Sequence, residues 1–477
     1  MRVTGALSFR DPCGHVLDVG GRVLRVVSDP DAAVVLPSIL QLSAVRKAVA
    51  EGRLVSSRPV PRAEWPSLSD LPGIPSAQLV LEHERIVFPS FAYEWPAEML
   101  HAAGRLTLNL ALALLEEGHG LKDATPYNVL FKGPRPIFVD VCSIEARDRD
   151  DFTWLAHAQF ARTFLLPLLA QRDLGLSLAG LFLAKRDGLE PPDLYRMIGP
   201  LRRLMPPYLG LVSLPTWLAR AARKQEATLY KKRLGGNPER SRFILAASLR
   251  RLARTLDRLT PTSMRASAWS TYMQSELSYS EAAFRQKEAF VETALRERHA
   301  EHVLDVGCNT GHFSRLAAQS GASVVALDSD ATVVGETWRR ATAENLDILP
   351  LVLDLARPSA GIGWRNAECP AFLERAKGRF DLVLLLAVVH HLGVSERIPL
   401  QQIAELMACL TRDAVVVEFI DREDPMFQRL LRGRDYLHCN WTREAFELAW
   451  RRAFDVITCE PIGDSHRWLY LLRRRRA

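Results

Sequence analysis

The chain has 477 residues, 48% hydrophobic and 25% charged, a globular composition long enough for two to four domains. Its 62 basic and 55 acidic residues leave a formal charge of +7, which permits an anionic partner without requiring one. The seven cysteines, at 13, 142, 308, 369, 409, 439 and 459, form no CxxC pair, which argues against a zinc ribbon or dithiol redox site and fits a reducing cytoplasm.

The opening MRVTGALSFRDP has no apolar core for a signal peptide, so a cytoplasmic protein is expected. Over residues 1–60 short strand-like runs alternate with turns, and HVLDV and RVLRVV around Gly20-Gly21 predict a hairpin. Pro61, Pro66, Pro72 and Pro75 mark a loop over 61–80. A long helix is predicted over 94–118, then a second hairpin from YNVLF and PIFVDV across KGPRP. Residues 150–260 read as mainly helical, and 201–260 as an Arg- and Lys-rich connector. From 302 a fresh strand–helix alternation predicts a mostly parallel α/β domain ending in an antiparallel pair, FDVITCEPI with HRWLYLLRR. LTLNLALALL (106–115) and FDLVLLLAVV (380–389) are too short to span a bilayer. The four arginines at 473–476 read as a solvated end.

The most informative stretch is VLDVGCNTG (303–311): an apolar strand runs into Asp305 and a turn with Gly307 and Gly311. Glycine lets the backbone approach a ligand, and a helix starting near Gly311 turns N–H groups towards the same space. Asp328, closing VVALD, suits two ribose hydroxyls; Asp354, in LPLVLDLA, suits an adenine amino group. The loop is not GxGxxG, and Asp305 would repel a pyrophosphate but pair with an ammonium. That favours S-adenosylmethionine over a dinucleotide. Cys308, Asn309, Ser329 and Leu355 stand beside these positions.

Residues 302–391 resemble the core of the class I S-adenosylmethionine-dependent methyltransferases. VLDVGCNTG matches their first motif, ALDSD the acid-terminated second strand, LDLA the adenine-side acid, and FDLVLLLAVVHHL the next strand with its histidine pair. The resemblance implies a seven-stranded Rossmann-like sheet, with Asp305 and Gly307 on the methionine side, Asp328 on ribose and Asp354 by adenine. It also implies that the lead-in segment 269–295, with Lys287, Phe290 and Val291, folds over the cofactor; Tyr272 and Tyr279 there pack or touch substrate. No metal is expected in this site.

HGLKDATPYNVLFKGPRPIFVDVCS (119–143) resembles the D-x-x-x-x-N of protein and aminoglycoside kinases with a later strand-end acid. The likeness implies a base role for Asp123 and metal roles for Asn128 and Asp140, and so a nucleotide with magnesium. DVC replaces DFG, and neither a glycine-rich phosphate loop nor a V-A-x-K lysine is recognisable. The expectation is a degenerate kinase-like α+β lobe that binds substrate or nucleotide, with a structural coincidence as the alternative and active phosphotransfer behind both. The predicted organisation is a kinase-like region over 1–150, a helical region with a basic connector over 151–265, and a methyltransferase domain over 266–477. SFRDPCGHVL (8–17), FPSFAYEWPAEML (88–100), WLAHAQFARTFLLPL (154–168) and EFIDREDPMFQRLL (418–431) extend a resemblance to bacterial methyltransferases that include nodulation-associated proteins across nearly the whole length.

For the transfer itself, His390 and His391 are the expected bases, His391 first. Glu418, Asp421 and Tyr436 are expected to face substrate, with Glu423 and Asp424 in the same charged loop, whose acids could equally cap the helix that begins near Pro425; Tyr436, His438 and Trp441 form a run that reads as a lid or, equally, as surface or core packing. The leading expectation is methyl transfer to oxygen or nitrogen of a small molecule, glycan or peptide. The rivals are a bifunctional kinase–methyltransferase, an RNA methyltransferase and a non-catalytic scaffold that keeps the cofactor fold. AVVHHL where base methyltransferases often carry [DN]-P-P-[YFW] disfavours the nucleic-acid reading.

Overall fold

From residue 302 to 385, apolar runs of five or six residues alternate with longer stretches, and each run becomes a largely buried strand. The computed structural model describes residues 3–8, 11–65, 77–222, 236–262, 280–431 and 440–475. The chain divides into two units: 1–261 with 362–369, and 262–361 with 370–477.

In the N-terminal unit, strands β1 (Val3–Ser8), β2 (Gly14–Val19), β3 (Arg22–Val27), β4 (Ser57–Pro59) and β5 (Leu79–His83) form an antiparallel sheet in the order β1-β2-β3-β5-β4. The β2–β3 hairpin turns at Gly20-Gly21, as predicted. The long helix runs Ala97–Glu116, starting after Pro96, whose ring suits a helix N-terminus and not its interior. β6 (His119–Leu121) pairs with β9 (Ile144–Ala146), and β7 (Val129–Lys132) with β8 (Arg135–Phe138), the second expected hairpin. The sequence separates 1–150 from a helical region after it, but both belong to one unit. Gly104 lets the long helix approach Phe164 and Leu256 of the later helices: a β-carbon there would lie 3.1 and 3.3 Å from their side chains. Leu256 lies on the helix Pro238–Asp257.

The C-terminal unit is built on a seven-stranded sheet of β10 (His302–Val306), β11 (Ser323–Asp328), β12 (Ile348–Val352), β13 (Phe380–Leu385), β14 (Thr411–Ile420), β15 (Phe454–Pro461) and β16 (Arg467–Arg474). Its order is β12-β11-β10-β13-β14-β16-β15, parallel except where β16 meets β14 and β15. Val303, Leu304, Val324, Ala326, Leu382 and Leu384 are buried in it, covered by helices on both faces. The strand order reverses between β10 and β13, so their carboxyl ends open a crevice where such sheets bind ligands. Register aligns Asp328 with Val352, so Asp354 follows just beyond β12 at the same edge.

Candidate active site

After β10 the chain turns on Gly307, whose φ is +70°, and a β-carbon there would stand 2.5 Å from Val388 Cγ2. The Gly307 and Cys308 amides both donate to the Leu327 carbonyl, at 2.8 and 2.9 Å, pinning the loop to the end of β11. The Asn309 amide donates to Asp328 Oδ2 (3.0 Å) and the Asp330 amide to Oδ1 (3.0 Å). Gly311, at φ +78°, caps the helix His312–Gln319.

These turns leave a cavity of about 390 Å3. Eight of the nine positions expected at the cofactor line it: Asp305, Gly307, Cys308, Asn309, Asp328, Ser329, Asp354 and Leu355. Gly311 does not line it; it shapes the loop from behind, where a β-carbon would meet Thr337. Asp305 is 2% exposed and accepts from Ser314 Oγ at 2.6 Å. Burial pushes its carboxyl up to about 6, opposed by the Ser314 hydrogen bond and the nearby Lys287 ammonium. Burial also raises Asp328, against the pull of its backbone donors. Burial raises the Cys308 thiol well above its ordinary value, so it is a neutral wall and not a nucleophile. Asp354 accepts from the Ala356 amide (2.9 Å) and pairs with Arg357 (3.0 Å), which also reaches Glu396 (2.7 Å).

The two histidines part company. His391 lines the cavity, and burial lowers its pKa, leaving a neutral ring able to take a proton. His390 lies behind it at 4% exposure, ring centroids 4.2 Å apart, and is not among the cavity-lining residues. Burial, followed by the charges of nearby groups, holds His390 far below the ordinary histidine range. Its Nδ1 has no hydrogen-bond partner among the described residues.

Glu418 does not face a substrate mouth as the sequence suggested. It is fully buried, accepts from Lys287 Nζ at 2.6 Å, and lies 3.6 Å from Arg467 Nη1. Behind it, Arg467 Nε donates to Asp424 at 2.7 Å, and Asp424 also caps the helix Pro425–Leu431 through the Met426 and Phe427 amides. Asp421 is a turn residue that accepts from the Glu423 amide and does not line the cavity. Trp441 takes the packing alternative: it donates to the Ile420 carbonyl and fills the space over Gly393. Phe290 and Val291 pack in the core, while Lys287 reaches the cavity. Tyr272, Tyr279, Tyr436 and His438 lie outside the described residues. Sequence reasoning missed the roles of Arg357, Glu396 and Arg467. Lys287 had a signal: it is a charge inside the apolar stripe Ala283, Phe290, Val291 and Ala294 of its helix.

In the N-terminal unit Asp123 is exposed, with its amide donating to Ser143 Oγ, and the Asn128 carbonyl accepts from the Val139 amide. Asp140 pairs with Arg25 Nη2 at 2.9 Å, and Arg25 Nη1 pairs with Asp11 at 2.7 Å. In protein kinases a third-strand lysine meets phosphates and the later acid holds metal. Here the third-strand cation, on β3, is 5% exposed and spans the acids itself. Donor atoms of Asp11, Asp140 and Cys142 all lie within 4.8 Å of one another. Burial pushes the Cys142 thiol up to about 12, so the third donor is a protonated sulfur. Magnesium takes oxygen ligands, and these residues do not fit a kinase-type magnesium site.

A family model described as a methyltransferase domain matches residues 273–459. The nodulation protein NoeA of Rhizobium meliloti (strain 1021) is 32% identical over 479 residues, covering 99% of this chain and 96% of its own. The O-antigen chain terminator bifunctional methyltransferase/kinase WbdD of Escherichia coli is 32% identical over 130 residues, 26% of this chain and 16% of that protein. Among solved structures, the N-methyltransferase NodS of Bradyrhizobium japonicum WM9 with S-adenosyl-L-homocysteine matches at 14% identity and a TM-score of 0.31, over 44% of this chain and 100% of that chain.

Proposed function

On the premise that the chain belongs to the family of the nodulation protein NoeA and carries a methyltransferase domain, we propose that it methylates an oxygen or nitrogen of a small molecule, glycan or peptide. The observation that carries this reading is the cavity at the strand-order reversal, with Asp305, Asp328 and Asp354 at successive strand ends. S-adenosylmethionine, when bound, supplies a methyl group on an electrophilic sulfonium. The residues present fit it: Asp305 takes the ammonium, Asp328 the ribose hydroxyls, Asp354 the adenine side.

With the cofactor bound, His391 would take the acceptor's proton as the methyl group leaves the sulfonium sulfur, which departs as a neutral thioether. Its lowered pKa keeps it neutral at pH 7, so the rate is sustained above its folded pKa and falls as pH drops through that value. His390 backs the His391 ring and does not reach the cavity. The loops at the carboxyl edge would hold acceptor and cofactor for the transfer, the main contribution such a reaction needs.

The N-terminal unit assists acceptor or partner binding, a role supported by similarity to NoeA that spans both units. A phosphotransfer role is disfavoured because Arg25 holds Asp140. Among the described residues, no single helix is long and apolar enough to cross a membrane.

The test is calorimetric titration of the full chain with S-adenosylhomocysteine beside an Asp328→Ala variant, then a screen of acceptors with methyl-labelled cofactor. Saturable binding lost in the variant supports the pocket; well-folded native protein that binds nothing removes the reading.

A further inference from the structure

The methionyl end of S-adenosylmethionine is a zwitterion, and a site that takes its ammonium on a carboxylate also needs a cation for its carboxylate. Among the described residues, four cationic or potentially cationic side chains line the cavity: Lys287, His312, Arg357 and His391, the last already assigned to the acceptor's proton. Arg357 belongs to the adenine side, tied to Asp354 and Glu396. His312 pairs with Glu288 at 2.7 Å. Lys287 shares the wall with Asp305 and Gly307, where the methionyl end is assigned.

We infer that Lys287 binds the cofactor's carboxylate and that Glu418 holds its ammonium in place for that task, an inference that rests on the cofactor reading above. Lys287 comes from the helix Glu281–Glu297 and is 4% exposed, so burying its charge requires a partner. Glu418, from β14, provides it at 2.6 Å, and the Phe313 ring lies 5.1 Å from the ammonium. Behind Glu418, Arg467 lies 3.6 Å away and pairs with Asp424 at 2.7 Å. Asp305 is the additional negative charge near Lys287. An entering zwitterion matches both: its ammonium meets Asp305 and its carboxylate meets Lys287, while Glu418 goes on holding the Lys287 ammonium and Asp424 keeps Arg467. A purely structural ion pair needs no place on the cavity wall, and a buried pair of that kind is replaceable by neutral groups of similar volume.

The experiment compares binding of S-adenosylhomocysteine with its decarboxylated analogue, which keeps the ammonium, by calorimetry on the full chain. The native protein is expected to prefer the carboxylate-bearing ligand by about ten- to hundred-fold, the worth of a charge-assisted hydrogen bond. Lys287→Met with Glu418→Gln removes both charges together and avoids stranding the buried glutamate. That variant is expected to bind the two ligands alike, with affinity for the decarboxylated ligand close to native. Lys287→Arg should retain a preference. Discrimination surviving in the double variant, or absent in the native protein, overturns the inference and leaves the cofactor reading standing. An equal loss of affinity for both ligands in the double variant assigns Lys287 to structure alone and also overturns it. If the native protein binds neither ligand, the cofactor reading falls and this inference with it.

Discussion

In the N-terminal unit Asp11 and Asp140 share one guanidinium, that of Arg25, whereas in the C-terminal unit Asp305 and Asp328 are held by neutral donors, Ser314 Oγ and backbone amides. Both units gather carboxylates at strand ends and turns, and from sequence both resemble ligand sites. The difference lies in the counter-charge. Neutral donors orient a carboxylate and leave its charge for a ligand; a buried guanidinium consumes that charge inside the fold. Lys287 and Arg467 could have done the same in the C-terminal unit, but Glu418 and Asp424 engage them instead.

The sharpest way to break this contrast is Arg25→Ala. It strands two carboxylates, of which Asp140 keeps some solvent contact, and should cost about 3 kcal/mol of unfolding free energy in urea titration. Adding Asp140→Asn should recover part of the loss. An unchanged unfolding curve would mean that Arg25 is not the counter-charge of these acids.

His391→Ala should lower kcat about a hundred-fold with S-adenosylhomocysteine affinity near native, because a base at the wall acts on the acceptor. His390→Ala, a change behind the wall, should act mainly on thermal stability. Equal kinetic losses at both positions would erase the distinction between them.

Asp328→Ala should weaken S-adenosylhomocysteine binding about ten- to hundred-fold, since it removes an acid kept for a ligand. Asp305 makes the same point through pH. Its carboxyl, near 6, must be ionised to take an ammonium, so affinity should hold above pH 6 and fall by up to about ten-fold per unit below it. Asp305→Asn should bind more weakly and flatten that dependence; an unflattened profile would place the titrating group elsewhere. The smallest effect is expected at Arg357→Ala, where an exposed network around Asp354 and Glu396 is screened by solvent. Calorimetry should show an affinity change of no more than a few-fold, and a larger one would make Arg357 part of the adenine contact.

Much of the C-terminal architecture was legible because its signals are local. Continuous apolar runs, helical stripes, and glycines 307 and 311 at forced turns each act over a few residues, and eight of the positions expected at the cofactor line the cavity. Glu418 misled for the same reason: a charged residue on a strand next to a charged loop has the local pattern of a ligand contact. Its partner Lys287 lies 131 residues away. Asp140 and Arg25 are separated by 115 residues, so the kinase-like D-x-x-x-x-N pattern carried no sign of the guanidinium.

By itself the sequence determined the order of strands and helices, the acids at the strand ends and the glycine turns between them, because backbone sterics and hydrophobic periodicity operate between near neighbours. Only the tertiary structure decided which of those acids stay charged towards a ligand, which histidine reaches the cavity and which cation each carboxylate keeps. Those outcomes depend on burial and on Coulomb contacts between segments far apart in the chain, and both exist only once the sheet and its covering helices have closed.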